Sequence, residues 1–271
     1  AWVKQDAKKS AIDDLIQHID GVIKPIDYCL VSPDTPSDRL LDIQLVDMHL
    51  GISTLDHYAP RLAKLHGHIC RRTWDVINIC IGDDLLHCDG FGGKTIHGTQ
   101  VESINLPQAW GWAEQIYRTM IDDALRHAKT VYVRYIPGNH DRSLTWAFCR
   151  EMSALYPGLV DTDIKYRKAM IYGDCFIGWA HADGQKGAAK DIRGQFLVDF
   201  PQWFSPAKVR EIHCGHLHHE KDEDIYGCRV RRLGSAKEDD NYHDENGYIG
   251  ALKRHQIFEW SKEGLESIYY I

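Results

Sequence analysis

Histidine, aspartate and asparagine recur in this chain in short groups whose spacing could hold divalent cations. Five groups stand out: Asp47-Met48-His49, Gly82-Asp83, Gly138-Asn139-His140-Asp141, the single His181, and Gly215-His216-Leu217-His218. Their donors are carboxylates, imidazoles and one amide, and no thiol is needed. Such a set suits Mn, Fe or Zn better than Mg or Ca. In Asp47-Met48-His49 and His216-Leu217-His218 a period of two would send both outer side chains to one side of an extended segment, so each pair can address one ion. A lone histidine is more often an ordinary turn residue than a ligand. Seven candidate donors in ordered groups require that coincidence to repeat for each of them.

Each group falls at the end of a short apolar run. The runs are 43–46, 76–81, 131–136, 176–180 and 209–214. Continuous apolar runs of this length fit strands buried on both faces, and strand ends are where α/β sheets build their sites. Between two of the runs, residues 107–128 read as a helix with Trp112, Ile116, Met120, Ala124 and Leu125 on one stripe and Pro107 in its first turn. A shorter amphipathic helix is expected within 7–23, and 32–37, with two prolines, reads as a loop. Residues 228–233, 255–260 and 267–271 read as strands completing a second sheet. The pattern is α/β, with an N-terminal extension over 1–40 carrying the short helix and one domain over 41–271.

The chain has 271 residues, 44% of them hydrophobic, which is enough for a sizeable core. No apolar run approaches the roughly 20 residues that cross a bilayer. The opening residues lack the basic and apolar stretches of a secretion signal, and the eight cysteines form no Cys-x-x-Cys pair. Both point to a cytoplasmic protein with reduced thiols rather than a disulfide framework or zinc ribbon. A net charge of -7 argues against broad nucleic-acid binding, although bound cations would offset several acids locally. Gly90-Phe91-Gly92-Gly93-Lys94-Thr95 ends like a phosphate-binding loop, but Cys88 stands where the first glycine belongs. A flexible loop over the site mouth is expected instead.

The order Asp-x-His, Gly-Asp, Gly-Asn-His-Asp, a lone His and Gly-His-x-His resembles the calcineurin-like metallophosphoesterases, over about residues 43–218. The resemblance implies a four-layer α/β/β/α sandwich, two mixed sheets flanked by helices. It implies two divalent metal ions, Mn first, with Mg, Fe or Zn as alternatives, and phosphoester hydrolysis by a metal-bridging hydroxide. By the same resemblance Asp47, His49 and His218 would hold one ion and Asn139, His181 and His216 the other. Asp83 would bridge them, because a shared carboxylate offsets repulsion between cations about 3.5–4 Å apart. His140 would donate a proton to the leaving oxygen. Asp141 would orient His140, or else cap the helix that follows. His87 departs by one residue from the family's Gly-Asp-x-x-Asp/His/Asn spacing; it would position phosphate or metal, or be a loop histidine beside the site. His213 and His219 flank the last group and are expected either to support its ligands or to be solvated.

Within that family the chain lacks the Gly-Asp-x-Val-Asp-Arg-Gly and Gly-Asn-His-Glu of phosphoprotein phosphatases. It also lacks the tyrosine that follows the bridging Asp in purple acid phosphatases. The Gly-rich insert after Asp83, Leu233-Gly234-Ser235 and Arg254-His255-Gln256-Ile257-Phe258 look similar to the Mre11/SbcD-like DNA-repair nucleases. The expected function is therefore a metal-dependent phosphodiesterase acting on nucleic acid, as exonuclease or endonuclease. One alternative is a small-molecule or cyclic-nucleotide phosphodiesterase or phosphatase, and a second is a scaffold without catalysis. Expected partners are a phosphoester substrate, DNA among them, and further copies of the chain, with no membrane. Trp110, Trp112, Trp146, Trp179, Trp203 and Trp260 would stack on bases or belong to the core. Arg71, Arg72, Arg229, Arg231 and Arg232 would meet phosphates or lie on a solvated strand face.

Overall fold

A computed structural model describes residue 17 and residues 21–32, 34–184, 191–238 and 252–271. The helix expected within 7–23 falls almost wholly outside the described residues. The elements run β1 (Leu40–Gln44), α1 (Leu55–Cys70), β2 (Trp74–Gly82), α2 (Leu106–His127), β3 (Ala128–Ile136), α3 (Arg142–Leu155), β4 (Val160–Asp161), β5 (Lys168–Tyr172) and β6 (Cys175–Ala180). They continue through α4 (Ile192–Asp199), α5 (Pro201–Phe204), β7 (Val209–Cys214), β8 (Lys221–Ile225), β9 (Cys228–Arg232), β10 (Gln256–Trp260) and β11 (Leu265–Tyr270).

Two mixed sheets result. The larger has the order β11-β10-β1-β2-β3-β4, and the smaller β5-β6-β7-β9-β8. The five strands that end at the motifs pair in parallel within their sheets, β1 with β2, β2 with β3, and β6 with β7. Their motif ends therefore lie on one side. Leu40, Cys80, Ile177, Trp179, Phe258 and Trp260 fill the space between the sheets. Helices α1, α2 and α3 cover the outer face of the larger sheet through residues such as Tyr58, Ile116, Tyr117 and Phe148. Phe196 and Phe204 of α4 and α5 cover the smaller one with Phe176 and Ile212. The four layers and two mixed sheets implied by the motif order are what the chain forms.

One expectation is corrected. Residues 228–232 do join the smaller sheet, but β10 and β11 extend the larger one, with β10 antiparallel to β1 and Ile43 opposite Ile257. The free edge of β1 offers unpaired N–H and C=O groups, and the returning chain satisfies them. His213 is also not beside the site. It lies between the sheets, its Nδ1 3.2 Å from Asp42 and its Nε2 3.0 Å from Glu211. Asp42 also accepts from Trp179 and Asn78. Burial opposes a charge on His213, but these two carboxylates raise its pKa above the ordinary value.

Candidate metal centre

The motifs meet where the strands end, and the backbone there is unusual. Among the described residues, eight non-glycine residues have positive φ: Asp47, His49, Asp83, Asp84, Ala182, His216, His218 and Tyr226. All but Tyr226 belong to the motifs or adjoin them. Left-handed backbone costs free energy for residues with a Cβ and concentrates at functional sites. It also revises how the paired ligands converge. Asp47 and His49, and likewise His216 and His218, are aimed by left-handed turns beyond the strand ends, not by alternation along an extended strand.

Asp47, His49 and His218 form one group. One ligand atom from each lies within 4.8 Å of the others, with Asp47 Oδ1 3.4 Å from His218 Nε2 and 4.0 Å from His49 Nε2. The second Asp47 oxygen accepts from the backbone N–H of His216 at 2.8 Å, and its carbonyl accepts from Ser235 Oγ at 2.7 Å. The carboxylate is thereby held with Oδ1 facing the two imidazoles.

Asp84, His181 and His216 form the other group. His181 Nε2 lies 2.7 Å from Asn139 Oδ1 and 3.1 Å from Asp84 Oδ2. His181 Nδ1 pairs with Asp83 Oδ1, and Gln44 Nε2 donates to Asp83 Oδ2 at 2.5 Å. Neither Asp84 nor Gln44 was legible as a site residue. Asp84 adjoins the Gly-Asp group and shares its left-handed turn, and Gln44 is a buried amide at the end of a fully buried strand; those were the available signals. Gly215 closes the floor. A Cβ there would fall 2.5 Å from Asp83 Oδ1 and 3.0 Å from Asp47 Oδ2. Gly138 is similarly fixed, since a Cβ would fall 2.1 Å from Asp84 Oδ1.

The electrostatics suit a cation. Asp47, Asp83 and Asp84 are buried together. Burial pushes the Asp83 carboxyl up to about 6 against the pull of His181. For Asp84 burial is outweighed by His181 and His140, which bring it below the usual carboxylate range. His49 falls well below its ordinary value through burial and then through His140, His218 and His87. A neutral imidazole is the form that ligates a metal. Asp47 Oδ1 and His49 Nε2 are buried without a hydrogen-bond partner among the described residues, an arrangement that is costly unless something else satisfies them. These two atoms face the same point as His218 Nε2, so the donor set fits a divalent ion.

His140 lies against this cluster, its ring centroid 4.5 Å from that of His49. Its Nδ1 is 2.8 Å from the carbonyl oxygen of His87. A carbonyl only accepts, so Nδ1 carries a proton and Nε2 is the position at which His140 can exchange one. The orienting role expected of Asp141 is corrected here. Asp141 Oδ2 accepts from the Leu86 N–H at 2.6 Å and from the Thr145 hydroxyl, so its side chain ties the loop after β2 to α3. It makes no hydrogen bond to His140; the His87 carbonyl and the Asp84 carboxylate, which accepts from the His140 N–H at 2.8 Å, hold that residue instead. His87 is buried, with Nδ1 3.2 Å from His49 Nδ1 and Nε2 3.4 Å from Glu102.

The Gly-rich insert does not open a helix as a phosphate-binding loop would. It folds back on itself through Thr95 N–H to Thr99 and Val101 N–H to Gly93, and Ile96 N–H binds the Asn139 carbonyl. Before it, Asp89 Oδ1 accepts from the N–H groups of Ser143 and Leu144, capping α3 from a distant loop. His219 is exposed, its Nδ1 on the Leu217 carbonyl. The tryptophans and arginines considered for nucleic acid lie elsewhere. Trp179 and Trp260 are core, and Trp110 and Trp146 are tied to Glu151 and the Thr162 carbonyl. Arg71 and Arg72 both bind Glu259, and Arg231 binds Glu211 and Asp222.

No family model matches the chain, and no curated protein matches it. Solved structures do. Vps29 complexed with Zn2+ from Entamoeba histolytica is 14% identical, with 86% of this chain and 98% of that chain covered and a TM-score of 0.37. Vps29 from Chaetomium thermophilum is 10% identical over 87% and 96%, with a TM-score of 0.41. A conserved protein from Streptococcus pneumoniae described as a predicted phosphoesterase is 13% identical over 88% and 99%, with a TM-score of 0.34. Likenesses at this level carry no inference about activity or partners. No helix of the described residues is long and apolar enough to cross a membrane.

Proposed function

We propose that this chain is a metal-dependent phosphodiesterase that binds two divalent ions, with Mn the preferred metal and nucleic acid the substrate. The observation that carries the reading is the convergence, from four separate strand ends, of the Asp47/His49/His218 and Asp84/His181/His216 groups around the buried Asp83. In this reading Asp47, His49 and His218 hold one ion, and His181, His216, Asn139 and the added Asp84 hold the other. Asp83 serves both. The catalytic unit is 41–271, with 1–40 as an extension.

Two divalent ions bound there would activate water and offset phosphoryl charge. The chain's own residues do the rest. Gln44 fixes one oxygen of Asp83, and His181 Nδ1 faces the other. The His87 carbonyl holds His140 with Nδ1 protonated, so that Nε2–H of the charged ring can pass a proton to the leaving oxygen as the phosphorus–oxygen bond breaks. A water oxygen forms the new bond to phosphorus and loses its proton to solvent. General-acid help of this kind contributes roughly 10²–10⁴-fold. A second reading, hydrolysis of a small or cyclic phosphodiester, is favoured by the cavity of about 610 Å³ beside His181. Metal analysis of the wild type and of Asp83→Asn tests the proposal. About two ions per chain in the wild type and fewer than one in the variant are expected; equal metal content in both would refute the shared-carboxylate assignment.

A further inference from the structure

His181 forms part of the wall of that cavity, and Arg142, Tyr166, Arg167, His97 and Gln195 form much of the remainder. Its volume falls within the roughly 300–1,000 Å³ of small-ligand pockets, more than a lone phosphate needs. Arg142 follows the Gly-Asn-His-Asp motif directly, and its carbonyl accepts from Tyr135 Oη at 2.7 Å, so its backbone is fixed relative to the centre. Its guanidinium lies 4.7 Å from the Tyr166 ring centroid, and one terminal nitrogen donates to the Tyr166 hydroxyl at 3.0 Å. The other lies 3.5 Å from Asp183. Arg142 Nε is buried and has no hydrogen-bond partner among the described residues. Asp183 also lies 3.8 Å from His97 Nε2, and it is joined to His181 by the left-handed Ala182. It is a positioning residue that holds Arg142 at the cavity.

A surface arginine with no task would leave Nε in water; a buried, unpaired N–H is costly and points to an absent acceptor. A planar cation lying on a half-exposed tyrosine ring is the kind of platform on which bases stack without regard to sequence. Arg167 is held by Asp199 and Gln195, so it contributes wall and charge. We propose that this cavity receives the nucleoside joined to the phosphodiester being cut. The Arg142–Tyr166 pair supports its base, and Arg142 Nε–H donates to a phosphate or base oxygen. The inference rests on the phosphodiesterase reading and narrows its substrate to a nucleotide unit.

The test compares kcat/KM for thymidine 5′-(p-nitrophenyl phosphate) and methyl p-nitrophenyl phosphate, with Mn, in the wild type, Arg142→Ala and Tyr166→Ala. Tyr166 is half exposed, so its variant folds even if the other does not. The expected wild-type preference for the nucleoside ester is about tenfold or more, and it falls at least about fivefold in each variant. A wild type that treats the two esters alike, or variants that keep the preference, would overturn the proposal. Calorimetric titration with thymidine 5′-monophosphate separates this from failure of the phosphodiesterase reading. If neither ester is cleaved, wild-type binding that is lost in both variants still supports the cavity assignment, and absence of wild-type binding overturns it.

Discussion

At the scale of single residues, His140 is the point where structure and chemistry meet most directly. It touches the cluster through His49, yet its fixed nitrogen is held by the His87 carbonyl rather than by a carboxylate. In the proposed function it acts on a proton, although its ring also lies within ligand reach of His49 and His87. His140→Gln is expected to keep the metal content of the wild type and to lose roughly 10²–10⁴-fold in turnover, read by metal analysis and kcat on the same preparation. Loss of metal along with turnover would make His140 a ligand instead. The candidate ligands proposed from the motifs were legible in the sequence because each motif combines a donor type with a fixed spacing. Asp84, Gln44 and the turned-away Asp141 were not. Spacing shows which residues adjoin a motif, but the left-handed turn at Asp83 and Asp84 decides which carboxylate points inward.

At the scale of elements, the strands that end at motifs were legible because apolar residues dominate them and most of those residues are buried, even where β3 exposes Tyr132 and β7 carries Arg210 and Glu211. The edge strand β8, Lys221–Ile225, is largely exposed and charged, so it carried no such signal. The sheet assignment of β10 and β11 also escaped, since apolar pattern marks a strand but not its neighbour. The start of α3 shows a further dependence that sequence hides. Its first N–H groups are capped by Asp89, more than 50 residues earlier in the chain. Unpaired N–H groups at a helix start are costly, and a side-chain cap is worth about 1 kcal/mol. Asp89→Ala is expected to lower stability by about that amount, or the melting temperature by about 2–4 °C. An unchanged melting temperature would mean that water caps the helix equally well.

At the scale of the whole molecule, each candidate ligand group draws residues from both sheets, so the packing between them sets the site's geometry. His255, which leads into β10, joins that packing to the first motif. It is buried, and its Nε2 lies 2.8 Å from the Val46 carbonyl. Burial holds its pKa at about 4, below the ordinary 6.5. The unfolded chain therefore binds the proton first as pH falls, and stability is lost from about pH 6.5 down to about 4. The loss reaches at most about 3 kcal/mol. In chelator, His255→Gln is expected to show a shallower fall in melting temperature over that window than the wild type; identical slopes would remove His255 as a contributor. The central claim is that this packing assembles a metal-dependent phosphodiesterase. Its most direct test is hydrolysis of bis(p-nitrophenyl) phosphate by the chelated protein before and after Mn, Mg or Zn is restored. No turnover in chelator and recovery with metal, Mn foremost, are expected. Turnover that persists undiminished in chelator, or no turnover with any of the three metals in protein carrying two bound ions, would contradict it.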